Sequence, residues 1–141
     1  MTRRISLVLA FLLLSLAGCA GQPDPLKTEL MYCHNRERVK QNKSVLHLDP
    51  ALETSAQKWA DWMAQHSKLV HSQMAIGETP YQIMGENIAM GYRDTDSVVH
   101  DWMQSPGHRR NILNSKFSHA GFGFAKSPDG TPYWCAQFGG P

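Results

Sequence analysis

The chain has 141 residues, 42% hydrophobic and 18% charged, a globular composition that excludes a disordered tail and leaves room for about one folded domain. Of its 14 Lys and Arg, Arg3 and Arg4 lie in the first eighteen residues, and the remaining twelve balance the 12 Asp and Glu. A near-neutral domain with seven histidines offers no electrostatic case for nucleic-acid binding.

Residues 1–18 read as an export signal. Met1-Thr2-Arg3-Arg4 is a short basic start, and Ile5 to Ala17 is an apolar run of thirteen residues. That run is too short for a mature membrane span and the right length for a signal-peptide core. It ends in Leu16-Ala17-Gly18-Cys19, which resembles the bacterial lipobox. The resemblance implies diacylglycerol on the Cys19 sulfur and Cys19 as the mature N-terminus; an ordinary secretory signal with a chance cysteine is the alternative. Ala20, where an Asp would favour the inner membrane, implies an outer-membrane lipoprotein facing away from the cytoplasm. Buried acyl methylenes anchor such a protein at about 0.8 kcal/mol each. Residues 19–25 read as a short tether, and 26–141 as the domain.

Leu26 to about Asn42 is expected to be helical, with Leu26, Leu30, Cys33 and the stem of Glu37 on one face. Lys40 to Ser44 is a polar turn. Asp49-Pro50 then starts a second helix, the Asp accepting from first-turn N–H groups and the Pro standing where no N–H is needed. Its apolar face is Leu52, Ala56, Trp59, Ala60 and Met63, widened by Trp62 and Leu69. Residues 72–92 carry four glycine or proline breaks and read as loop, with an extended piece at Ile83 to Met90. Thr95 or Asp96 caps a third helix with Val98, Val99, Trp102 and Met103 inward. Ser105-Pro106-Gly107 stops it, and His108 to Leu113 makes a short helical turn. The tail is a hairpin: Ala120, Phe122 and Phe124 alternate with Gly121, Gly123 and Ala125, and Trp134, Ala136 and Phe138 alternate with Cys135 and Gln137. Ser127-Pro128-Asp129-Gly130 supplies the turn. Helices followed by a hairpin mean an α+β domain.

With Cys19 acylated, Cys33 and Cys135 remain as an even pair in an oxidising compartment. A disulfide between them is expected. It would close a loop of about a hundred residues, worth about 4.7 kcal/mol in the chain-entropy picture. Two separate buried thiols are the alternative.

Three polar segments stand out: Leu69-Val70-His71-Ser72, Gly85-Glu86-Asn87-Ile88-Ala89 and Ser105-Pro106-Gly107-His108-Arg109. Singly, each is more simply structural than catalytic. Together with His34-Asn35-Arg36-Glu37-Arg38, Leu48-Asp49-Pro50-Ala51-Leu52, Gly121-Phe122-Gly123-Phe124 and Tyr133 to Gly139, in this order, they resemble the CAP superfamily, or SCP domain, in its bacterial branch. The match covers about residues 26 to 140. It implies an α/β/α sandwich, a small antiparallel three-stranded sheet between helices, with Ile83 to Met90 as the third strand.

The resemblance further implies a cavity cluster of two His and two Glu. His71, Glu86 and His108 match three of its members, while Ser105 stands where the second Glu is expected. His71 and His108 with Glu86 leave two readings open. One is a zinc or other divalent-metal site with an open position; the other, preferred, is a hydrogen-bonded cluster tying a loop to two helices. Ser105 with His108 makes a poor nucleophile pair, and capping explains Ser105 better. The four tryptophans read as core, with one lining a ligand groove as the alternative. No catalytic residue is assigned. The leading functional reading is a non-enzymatic, membrane-anchored module binding a lipid, another small apolar molecule or an envelope protein. A metal- or Glu/His-assisted hydrolase and a purely structural envelope protein are the rivals.

Overall fold

In the computed structural model, residues 24–73 and 80–141 are described; the export signal, Cys19 and most of the tether lie outside them. Four helices and four strands follow in the order α1 (Pro25–Lys40), β1 (His47–Leu48), α2 (Pro50–His66), β2 (Ile83–Met90), α3 (Thr95–Gln104), α4 (Pro106–Leu113), β3 (His119–Lys126) and β4 (Pro132–Gly140). Among the described residues no helix is long and apolar enough to cross a membrane.

Local chemistry explains the helix ends. Asp24 accepts from the Leu26 N–H at 3.0 Å, so the tether's last residues belong to the start of α1. Asp49 caps α2 through the Leu52 N–H, with Pro50 in the first turn as expected. α2 stops at Ser67, which takes the left-handed conformation at φ 49°. Leu69 therefore falls outside the helix and is exposed. α3 is capped by Asp94, one residue ahead of the expected Thr95, through the Ser97 N–H at 2.7 Å. α4 begins at Pro106, directly after Ser105, and is longer than the expected turn.

The sheet has order β1-β3-β4-β2. The β2–β4–β3 portion is the expected antiparallel unit, with Glu86 opposite Gln137 and Phe122 opposite Ala136. The expectation of three strands is corrected by β1, two residues that pair parallel to β3 at His47↔His119 and Leu48↔Ala120. A strand this short carries no periodicity that a sequence could show.

Strand alternation divides the core into two layers. On one face Phe122, Trp134, Ala136 and Phe138 pack with Leu30 and Cys33 of α1, Val98, Val99 and Trp102 of α3 and Ile112 of α4. On the other, Ile88, Tyr133 and Cys135 pack with Ala56, Ala60, Met63 and Ala64 of α2. This is the α/β/α arrangement. It also overturns the expected disulfide. Cys33 and Cys135 are both free and buried, in layers on opposite faces of the sheet. A disulfide needs Cβ atoms about 4 Å apart, and the sheet stands between these two.

Candidate functional site

Glu86 lies in β2, an edge strand, and alternation turns its side chain toward the α2 face. The carboxylate is 4% exposed and saturated with donors. Oε1 accepts from His71 Nδ1 at 2.8 Å and from the Ser72 backbone N–H at 2.9 Å. Oε2 accepts from the Ser72 hydroxyl, from Gln137 Nε2 at 3.0 Å and from the Cys135 thiol at 3.8 Å. A carboxylate offers about four lone-pair positions, so none is left for a reacting proton. Glu86 is a clamp that ties the stretch after α2 to the sheet.

His71 lies five residues beyond the end of α2, with its side chain 60% exposed. With Nδ1–H donated to Glu86, its Nε2 carries the free lone pair. His108 approaches from the other side of the β2 edge. Its backbone carbonyl accepts from Asn87 Nδ2 at 3.0 Å, and Asn87 alternates with Glu86 onto the α1–α3–α4 face. Asn111 binds both the Glu86 carbonyl and the Asn87 side chain, and Trp102 Nε1 donates to the Ile88 carbonyl. These bonds occupy edge positions of β2 where another strand would pair.

The His108 Nδ1 is buried with no partner among the described residues. Burial first, and the nearby His71 second, hold the His108 imidazolium below the ordinary histidine range, while Asp101 opposes them. Burial, and then the Glu86 charge, push the Cys135 thiol well up; burial and the Asp96 hydrogen bond push Cys33 up to about 11. Both thiols stay neutral and unreactive.

The structure joins His71 to Glu86 directly and brings His108 within electrostatic range. Ser105 closes α3 and opens α4, with its carbonyl accepting from Arg109 N and no side-chain cap bond. Its expected capping role is carried by the backbone alone. As a three-ligand metal centre the set does not fit: Glu86 is engaged by five donors, and among the described residues no three His, Cys, Asp or Glu are grouped to hold an ion. Gln137, Cys135 and Asn111 are members of the cluster that the sequence does not point to. The Glu86↔Gln137 register that would reveal the first becomes visible only once β2 and β4 pair.

Beside the clamp runs an open cleft of about 630 Å³, lined by Ser55, Lys58, Trp59, Trp62, Val70, His71, Ser72, Gln73 and Gln137. Trp59 and Trp62 are half-buried cleft walls, unlike the core residues Trp102 and Trp134. Their rings stack at 4.7 Å, Trp62 stacks in turn on His66 at 4.3 Å, and Trp59 Nε1 donates to the Val70 carbonyl. Gln137 is fully buried. Its Nε2 must face the acceptor-only Glu86, and its Oε1 has no partner among the described residues.

A model of the cysteine-rich secretory protein family (CAP) matches residues 31–138. The Bacillus subtilis protein YkwD is 36% identical over an alignment of 114 residues that covers 74% of this chain and 43% of YkwD. The chain therefore spans less than half the length of that relative. Among solved structures, an outer surface protein from Borrelia burgdorferi superposes with a TM-score of 0.70 at 24% identity, covering 80% of this chain and 90% of that one. An extracellular SCP-domain protein from Bacillus anthracis superposes with a TM-score of 0.71 at 22% identity, covering 86% and 45%. These two likenesses are likenesses of fold.

Proposed function

The chain belongs to the cysteine-rich secretory protein family, and from that premise we propose that it is an extracytoplasmic, non-enzymatic binding module anchored to the outer membrane through lipidated Cys19. Its ligand seat is the cleft along α2, and its ligand class is a lipid or other small apolar molecule. The observation that carries the reading is the saturated Glu86: the carboxylate that a Glu/His hydrolase would need as a base is engaged as a structural clamp. Next to it stands a concave apolar wall of Trp59, Trp62 and Val70. The buried Gln137 Oε1 adds one acceptor for a donor group on the ligand. The lipobox supports the anchor, and the surface and extracellular descriptions of the Borrelia and Bacillus anthracis proteins support the compartment.

The test uses a dibrominated long-chain fatty acid, whose bromines quench nearby tryptophans. Saturable quenching is expected, weakened about tenfold or more in Trp59→Ala, which removes a large apolar contact from the wall. The His71→Ala, His108→Ala double variant should show no loss of turnover on protein or ester substrates, because the wild type should have none. Turnover that disappears in that double variant while its circular dichroism stays native would establish the hydrolase instead. Absence of both quenching and turnover would leave the structural envelope protein. Labelled palmitate on the wild type and not on Cys19→Ser checks the anchor.

A further inference from the structure

Two histidines at the opposite edge of the sheet from the clamp have no part in the proposed function. His47 in β1 and His119 in β3 are register partners, so their side chains leave the same face of the sheet side by side. Their ring centroids are 5.9 Å apart. Two imidazoles bound tetrahedrally to one ion at about 2.1 Å would place their centroids roughly 5 Å apart, within reach of a small rotamer change.

The surroundings hold one of these rings in position. His119 Nδ1 lies 2.9 Å from Ser118 Oγ. With Nδ1–H donated to that oxygen, Nε2 keeps its lone pair, the arrangement that orients a ligating imidazole. The Tyr81 ring packs 5.5 Å from His119. It has room there because His119's other register partner is Gly139, where a Cβ would meet the Tyr81 ring at 2.5 Å. Asp49, two residues after His47, gives one oxygen to the Leu52 N–H and hydrogen-bonds the Tyr81 hydroxyl. Among the described residues no third ligand joins the pair.

We propose that His47 and His119 form a labile site for a divalent transition ion that favours imidazole, such as Zn2+, Ni2+ or Cu2+, with water completing the coordination. The ion would staple β1 to β3. It would reinforce the two backbone bonds that flank this two-residue strand, His47 N–H to the Ser118 carbonyl and Asp49 N–H to the Ala120 carbonyl, both 3.0 Å. The site is independent of the cleft and of the clamp.

The test titrates Zn2+ into the purified, chelator-stripped chain, in the wild type and in a background carrying His71→Ala and His108→Ala. One equivalent is expected to bind at sub-millimolar zinc in both, and to raise Tm. His47→Gln and His119→Gln should each weaken binding about tenfold or more and abolish the Tm rise, while leaving Tm in chelator unchanged. In the unmodified chain, substoichiometric Ni2+ should broaden the His47 and His119 imidazole NMR signals together and before those of the other histidines. The proposal fails if zinc binding survives both Gln variants, if it vanishes only with His71 and His108, or if Ni2+ broadens the seven histidines alike.

Discussion

Arg38 is a fully buried cation with no carboxylate beside it among the described residues. Its guanidinium donates to four backbone carbonyls: Ser44 at 2.6 Å, Ile112 at 2.7 Å, Asn114 at 2.9 Å and Phe117 at 3.2 Å. Burial holds its pKa below the ordinary arginine value, and the carbonyl dipoles supply the stabilisation that water would otherwise give. One side chain thus ties the end of α1 to the turn after it and to the whole exit from α4. The planar fork reaches four acceptors at once, which a lysine ammonium cannot do. Arg38→Met should cost about 3–5 kcal/mol by leaving these carbonyls unpaired, and Arg38→Lys should recover only part of it, as read by urea denaturation. The polar residues His34 and Arg38 occupy the inward face of α1 beside Leu30 and Cys33. Apolar periodicity favours Leu26 and the Glu37 stem for that face, because it carries no sign that buried carbonyls elsewhere need a donor.

At the scale of elements, the contact between α2 and the sheet depends on missing side chains. A Cβ on Gly121 would lie 2.1 Å from backbone atoms of Leu52 and Glu53, and one on Gly123 would lie 2.2 Å from the Ala56 carbonyl oxygen. The helix backbone rests directly on β3, with Ala56 and Ala60 keeping the approach close. Gln57 locks it by exchanging bonds with the Phe124 backbone N–H and carbonyl. Gly121→Ala must push backbone against backbone, so it should destabilise the fold by about 2–4 kcal/mol and lower Tm accordingly. The same change should displace the Trp59 and Trp62 wall and weaken fatty-acid quenching alongside stability. The alternation of Gly121 and Gly123 with Phe122 and Phe124 is readable as a strand. That the glycines mark a helix seat follows only from the packing.

At the scale of the whole molecule, stability should fall with acid. His34 is fully buried with its ring packed at 4.8 Å from Phe122 and near Trp102 and Phe138. Its Nδ1 lies 2.7 Å from the Leu30 carbonyl, and its Nε2 has no partner among the described residues. Burial, opposed by the Leu30 bond and aided by the Arg38 charge, pulls its pKa down from 6.5 to about 4. Above pH 6.5 both folded and unfolded forms are neutral and stability is unaffected. Between 6.5 and about 4 the unfolded chain takes up the proton that the folded chain refuses, so stability should fall with pH by about 3 kcal/mol. His108, shifted in the same direction, adds to the loss. Replacing the buried ring by an apolar one, His34→Phe, should flatten the dependence between pH 6.5 and about 4 in urea denaturation; an unchanged slope would place its origin elsewhere.

The helix start at Asp49-Pro50 and the final hairpin are readable from the chain because each depends on residues within a few positions of one another, and the family is readable from the order of its motifs along the chain. His71 and Glu86 are paired in advance by resemblance, and the structure joins them at 2.8 Å. The saturation of Glu86 by Gln137 and Cys135, the separation of the two cysteines, the parallel β1 and the cleft face of Trp59 and Trp62 are not readable. Each depends on which strands lie side by side and on which face of the sheet a side chain emerges, and those relations arise when segments far apart in sequence are packed into layers.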